Sequence, residues 1–312
     1  MISAERLTKR RGSRTVVSDV TFRAEPGTIT GFLGPNGAGK TTTMRMLVGL
    51  SEPDSGQALF FGGRYRDLPN PGRRVGILLD ASAQHAGRQG REALAVSART
   101  IGVPMQRVDT LLKLVGLDEA AAGRRVGKYS LGMRQRLGLA HALLGDPDVL
   151  ILDEPANGLD PEGMRWMRRL LRDFADRGGT VLLSSHLLAE VEAVADRMMI
   201  IGGGRIQAQG TRAELLTESG TIVEADDLAG LDAALHRAGL PSHPADGGRR
   251  LVEAEPEVVA RAAMADGVVL RRLAPAEGAG LERLFFELTT SGASPQSPQT
   301  DSIHPELAGA TA

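Results

Sequence analysis

The chain has no cysteine in 312 residues, which removes disulfide scaffolds, thiolate zinc sites and cysteine nucleophiles from consideration. Metal or acid–base chemistry must come from six histidines and 38 carboxylates. Aromatics are scarce at 3%, so a platform for stacking single-stranded bases is not expected. Lysine is rarer still: only Lys9, Lys40, Lys113 and Lys128 occur, and arginine makes up the other 33 of 37 basic residues. Long apolar runs are missing too. The longest uncharged stretch, Pro26 to Gly39, is rich in Gly and Pro, whereas a membrane-spanning helix needs about 20 mostly apolar residues. Neither sign of charge dominates, since the formal net is −1 and the pI about 6.6, so overall charge gives no reason to bind nucleic acid. The start, Met1-Ile-Ser-Ala-Glu-Arg, carries early Glu5 and no apolar h-region, so a secretory signal is not expected.

What is present alternates strand and helix signals. Val16, Val20 and Phe22, then Ile29 to Leu33, read as early strands punctuated by Pro26-Gly27. Lys40 to Leu50 is helix-like, while Gln57 to Phe61 and Val75 to Leu79 have strand length. Leu131 to Leu144 has helical spacing, and Val149 to Leu152 reads as a strand buried on both faces. A helix from Pro161 to Ala175, a strand Thr180 to Ser184, a helix Leu187 to Ala195 and a strand Met198 to Ile201 follow. This rhythm predicts an α/β core with a mainly parallel sheet. A boundary falls near Thr217 to Thr221, and residues 221–290 read as a small α+β module. Its last helix, Gly280 to Leu288, puts Leu281, Leu284, Phe285 and Leu288 on one face, which packing within the module or against a dimer mate would explain equally well. Residues 291–312 are polar and Pro-rich and are expected to be disordered.

The chemistry is concentrated in Gly34-Pro35-Asn36-Gly37-Ala38-Gly39-Lys40-Thr41, a G-x-x-x-x-G-K-T loop between an apolar run and a helix. Its glycines permit positive φ and leave backbone N–H groups facing inward, so that with the helix start they form an anion cradle. Lys40 would reach the β- and γ-phosphates of a nucleotide, and the Thr41 hydroxyl would ligate Mg²⁺. Val149-Leu-Ile-Leu-Asp153-Glu154 ends a hydrophobic strand in two carboxylates, where ligands of parallel sheets bind. Asp153 fits a Mg²⁺ partner and Glu154 the residue that polarises the attacking water. Ser130-Leu131-Gly132-Met133-Arg134-Gln135 opens a helix with an apt N-cap, which could bind a phosphate. Taken alone it is simply a capped helix. His186 ends the next strand, where it could hydrogen-bond phosphate or water, although an isolated His is more often a satisfied polar residue.

This set, with Asn157-Gly-Leu-Asp160 and Pro155, closely resembles the nucleotide-binding subunit of ATP-binding cassette (ABC) transporters over residues 1–217. The resemblance implies a P-loop NTPase fold: a RecA-like core, an antiparallel β subdomain and a helical subdomain over about residues 84–144. It implies ATP and Mg²⁺ as ligands and an ATPase whose catalytic residues are Lys40, Glu154 and His186. It also implies a head-to-tail homodimer, in which Ser130, Leu131 and Gly132 of one copy close over ATP held by residues 34–42, Thr42 included, of the other. A transmembrane permease would be the further partner, with the chain peripheral on the cytoplasmic face of the membrane and no nucleic acid bound. Arg11 stands where the family places an adenine-stacking aromatic, and a guanidinium can also stack on a purine. Asp80 stands where a Gln usually faces the Mg²⁺. The signature, the stretch from Asp80 to Arg91 and the C-terminal module resemble bacterial exporters of the antibiotic-resistance type, including daunorubicin-resistance-like cassettes. The alternative is an ABC-type ATPase acting on ribosomes or DNA.

Overall fold

Residues 1–217, 220–245 and 247–275 are described by the structure, a computed structural model. The chain opens with an antiparallel hairpin of β1 (Ile2–Arg11) and β2 (Arg14–Ala24), whose Leu7, Val17, Val20 and Phe22 turn inward. The wholly buried β3 (Ile29–Leu33) leads through the glycine loop into α1 (Lys40–Leu47), and β4 (Ser55–Phe60) returns to pair with β1. After β5 (Val75–Leu78) come α2 (Gly90–Ile101), α3 (Gln106–Leu114), the short α4 (Glu119–Ala122) and α5 (Leu131–Leu143). Then β6 (Val149–Leu152), α6 (Pro161–Asp176), β7 (Thr180–Ser185), α7 (Leu188–Glu192), β8 (Arg197–Gly202), β9 (Arg205–Gly210) and α8 (Arg212–Thr217) follow.

The hairpin and β4 make a three-stranded antiparallel sheet ordered β2-β1-β4. The main sheet has six strands, β5-β6-β7-β3-β8-β9, parallel except where β9 runs against β8. The alternating pattern predicts this α/β core with a mainly parallel sheet, and the resemblance implies its P-loop NTPase fold. Strand pleating divides the core between the two faces of that sheet. Leu150, Leu152, Val181 and Leu183 join α5 and α6 on one face. Val149, Ile151, Leu182 and Phe32 join α1 and the hairpin on the other. Strands buried on both sides read as continuous aliphatic runs for this reason.

Several boundaries differ from expectation. The first helix stops at Leu47 rather than Leu50, because Gly49 takes φ 71° and turns the chain. The helix expected from Leu187 to Ala195 is only Leu188–Glu192, after which Val194 and Ala195 both bond back to Val191 O in a turn. Strands β1 and β9 were not singled out by pattern, nor was one in the following segment.

That segment comprises β10 (Thr221–Ala225), α9 (Leu228–Arg237), β11 (Ser242–Ala245), β12 (Arg249–Val252), α10 (Pro256–Ala265) and β13 (Leu270–Pro275). The last of these strands starts at Leu270, three residues after Gly267, which is left-handed at φ 69°. Its four strands form an antiparallel sheet, β11-β12-β10-β13, over a core of Val223, Leu231, Leu235, Val252 and Val259. The expected helix Gly280 to Leu288 and the tail 291–312 lie outside the described residues.

One buried polar group adds a pH dependence. His141, on α5, has its Nε2 sealed from solvent without a hydrogen-bond partner, and burial pushes its pKa down to about 4 from 6.5. The unfolded chain binds a proton there below pH 6.5 that the folded chain refuses, so stability falls as pH drops from 6.5 towards 4. The full penalty is about 3 kcal/mol at 1.36 kcal/mol per pKa unit. His141→Leu should flatten this part of the stability profile, as urea denaturation at pH 7 and pH 4.5 would show; parallel profiles for the two proteins would contradict it.

Candidate functional site

The glycine loop sits at the end of β3, between β7 and β8 in the sheet. Gly34 N–H donates to Ser185 O at 3.3 Å, tying the loop to the neighbouring strand end. Two glycines are dictated by space. A Cβ on Gly34 would meet Ile201 O at 2.5 Å, and one on Gly39, at φ 110°, would meet Val16 O at 2.8 Å. Gly39 caps α1 without a side-chain bond, and the first turn holds no acidic residue. The unpaired N–H groups and positive end of the helix therefore face the loop uncompensated, which is an anion site. Lys40, 5% exposed, donates from Nζ to Gly34 O at 2.6 Å and to Pro35 O at 3.3 Å. Carbonyls hold this buried ammonium in place, and a phosphate can take over from them.

Strand β6 delivers the carboxylates to the same place. Asp153 accepts from Thr41 Oγ1 at 2.5 Å and from Ser184 Oγ. Glu154 has one oxygen 3.5 Å from Lys40 Nζ and the other 2.8 Å from His186 Nδ1. Its backbone is left-handed, φ 48°. Glu154 N–H donates to Ser184 Oγ at 3.0 Å, and its carbonyl accepts from Gln135 Nε2 at 3.0 Å and Asn157 N–H at 3.1 Å. A carboxylate placed between an ammonium and an imidazole can take a proton from water while the imidazole orients it. Thr41 and Asp153 are two hard oxygen donors in contact, and among the described residues no group of three His, Cys, Asp or Glu side chains converges. Such a pair suits Mg²⁺, which completes its shell with water and substrate phosphate rather than a protein cage.

Arg11, Pro35, Asn36, Gly37, Gly39, Lys40, Thr41, Thr42 and Glu154 line one cavity of about 290 Å³, together with Arg14 and Val16. Gly34 and Ala38 are buried behind the loop. Arg11 and Arg14 face each other across the end of the hairpin, with Gly12 turning between them at φ 60°. Ser130, Leu131 and Gly132 do not line this cavity. Ser130 Oγ caps α5 by accepting from Met133 N–H at 3.2 Å, and Leu131 stays exposed. Gly132 lies so close to the Asn157–Asp160 turn that a Cβ there would meet Gly158 O at 2.7 Å. Asp80 also stays out of the lining. It accepts from Ser82 N–H at 2.7 Å and Ser82 Oγ at 2.6 Å, bonds that with the positive Arg45 hold its carboxyl below the usual range.

Three residues with roles here were not assigned one by pattern. Gln135 closes the Ser130 to Gln135 helix start and Ser184 ends the expected strand from Thr180, but both pair with Glu154, 19 and 30 residues away in sequence, and no spacing reveals that. Arg14 was signalled only by the basic run around the hairpin turn.

Known proteins resemble this chain in sequence and in fold. The ABC transporter family model matches residues 17–157. The bacitracin transport ATP-binding protein BcrA of Bacillus licheniformis is 44% identical over 209 residues, 66% of this chain and 68% of that protein. The Nod factor export ATP-binding protein I of Burkholderia lata is 39% identical over 236 residues, 73% of this chain and 76% of that one. A solved ATP-binding subunit of an ABC transporter superposes with a TM-score of 0.64 at 29% identity, covering 69% of this chain and 91% of that one.

Ser184→Ala should leave the half-buried Glu154 N–H without its acceptor and cost about 1 kcal/mol of stability. Urea denaturation measures this, and an unchanged midpoint would show that the N–H finds another partner.

Proposed function

The chain belongs to the ABC transporter family as an ATP-binding, ATP-hydrolysing subunit associated with a membrane transporter, and from that membership we propose how its residues work. Two copies close head to tail around ATP and, docked on a permease at the cytoplasmic face of the membrane, drive export of a small molecule. The observation that carries the hydrolytic part is the Glu154 carboxylate, set between Lys40 Nζ at 3.5 Å and His186 Nδ1 at 2.8 Å beside the glycine-loop cavity.

The loop N–H groups and the start of α1 bind the phosphates, and Lys40 exchanges its two carbonyl partners for phosphate oxygens. Glu154 accepts a proton from water as the water oxygen bonds to the γ-phosphorus and the bond to the β-phosphate oxygen breaks, leaving ADP. His186 orients that carboxylate and the phosphate. Thr41 and Asp153 would hold a magnesium ion, which when bound supplies positive charge to the phosphate oxygens. Asp80 keeps both Ser82 bonds on its Oδ1, so it would join them through Oδ2. Arg11, on the cavity wall, stacks its guanidinium on the adenine.

Dimerisation is supported by the position of Ser130, Leu131 and Gly132: they begin a helix with no acidic residue in its first turn, yet they lie outside their own copy's cavity. A second copy's γ-phosphate suits that helix start. Closure then depends on ATP, because the phosphate bridges the two copies until hydrolysis removes it. No described helix is long and apolar enough to cross a membrane, so transport requires a membrane partner. Residues 1–217 would form the ATP-binding domain, with 84–144 as its helical part and 221–290 as an accessory module. Export is supported by the similarity to a Nod factor export subunit, and an antibiotic-like cargo by the similarity to a bacitracin transport subunit. The same similarity disfavours action on ribosomes or DNA.

Glu154→Gln should lower kcat by about 10²- to 10⁴-fold, the usual contribution of a general base. It should leave ATP binding intact and trap a dimer, visible by size-exclusion chromatography with ATP; normal turnover would remove Glu154 from the base role. Lys40→Ala should weaken ATP binding by about tenfold or more, the equivalent of 1.4 kcal/mol. Unchanged affinity by calorimetry would argue against the cradle.

A further inference from the structure

We propose that Gln135 is a positioning residue that couples the two ATP sites of the dimer: it ties the start of α5, which meets the second copy's ATP, to Glu154 of its own copy. The proposal rests on the reading of Glu154 as base and of Ser130–Gly132 as the closing surface.

Gln135 is 3% exposed, and its Nε2 donates to the Glu154 carbonyl at 3.0 Å. That peptide is under two constraints. Glu154 has a left-handed backbone at φ 48°, a region that costs a residue with a Cβ about 1–3 kcal/mol. Pro155 follows, and a proline further restricts the residue before it. The conformation persists because hydrogen bonds grip the residue at both ends: Ser184 Oγ accepts from its N–H, and Gln135 and Asn157 donate to its carbonyl. Since φ sets where the Glu154 side chain points, these bonds determine whether the carboxylate lies beside Lys40 and His186.

Each grip comes from a different part of the fold. Ser184 belongs to β7, in the sheet that carries the glycine loop. Asn157 belongs to the turn against which Gly132 packs. Gln135 belongs to α5, five residues after its N-cap Ser130. At 1.5 Å per residue that is about 7.5 Å along a rigid helix, so a shift or tilt of the helix start is passed to the amide. Helix α5 is otherwise held from the side, with Arg136 Nη1 donating to Val115 O at 2.9 Å and its guanidinium 5.0 Å from the Trp166 ring centroid. The Gln135 amide connects this helix to the reacting end of β6. A phosphate drawn onto Ser130 from the second copy therefore adjusts the Glu154 peptide of the first. If Gln135 merely satisfied a buried carbonyl, its loss would lower stability and leave turnover and cooperativity unchanged.

The test uses the full chain with ATP and two substitutions of nearly the same shape. Gln135→Met removes the donor, and Gln135→Glu turns an acceptor towards the carbonyl. Both should keep ATP affinity and KM within about twofold, because neither touches the phosphate cradle, while kcat falls on the order of 10- to 100-fold, as expected when a catalytic group is displaced by about 1 Å. The Hill coefficient for ATP should fall from about 2, its ceiling for two coupled sites, to about 1. Wild-type kcat and cooperativity in whichever variant folds, alongside an inactive Glu154→Gln, would overturn the proposal. Lower kcat with an unchanged Hill coefficient would overturn the coupling and leave only local positioning. Normal turnover in Glu154→Gln would instead overturn the base assignment beneath it.

Discussion

The left-handed peptide at Glu154, φ 48° and directly before Pro155, is the constraint on which the rest of the site depends. It turns the chain sharply at the end of β6, so that consecutive carboxylates face different neighbours. Asp153 meets Thr41 on the glycine loop, and Glu154 meets Lys40 and His186. A regular strand would send these two side chains to opposite faces of the sheet, one of them away from the phosphates. Ser184 serves both residues at once, donating to the Asp153 carboxylate and accepting from the Glu154 N–H. The main sheet thus supplies order as well as a core, because β6, β7 and β3 end together and bring their terminal residues within hydrogen-bonding distance.

What could be read from the sequence was local chemistry. The glycine loop and the aliphatic run before Asp153 announce themselves because a phosphate cradle and a doubly buried strand each restrict which residues can stand side by side. The strands of mixed exposure were harder to see. In β1 the register shifts between Ala4 and Leu7 and again before Arg10, which breaks the alternation that would mark a strand. In β9, Arg205, Gln207 and Gln209 leave Ile206 as the one large apolar residue of the strand. Helix ends were set by backbone conformation at Gly49 and by the turn at Val194 and Ala195, neither of which hydrophobic periodicity reports. Gln135 and Ser184 act through pairings across the fold, so their residue types were visible but their partners were not.

The Arg-rich composition has a local counterpart. Lys40 lies where a slim ammonium must pass between loop carbonyls, 2.6 Å from one of them and 5% exposed. A planar guanidinium with five donors would be a poor fit in that channel. Arg11 and Arg14 occupy the open wall of the same cavity, where a flat, weakly hydrated cation suits an aromatic base. One cavity is therefore lined by both kinds of cation, each where the shape of the space suits it.

The small sheet after residue 220 is bounded, among the described residues, by β11 and β13. Pro244 interrupts the donor row of the first, and Arg271, Arg272 and Pro275 burden the second with charge and a further missing donor. Both borders are thereby blunted against strand addition. Were two copies to pair as proposed, edges blunted in this way would keep these segments from zipping into a shared, irreversible sheet.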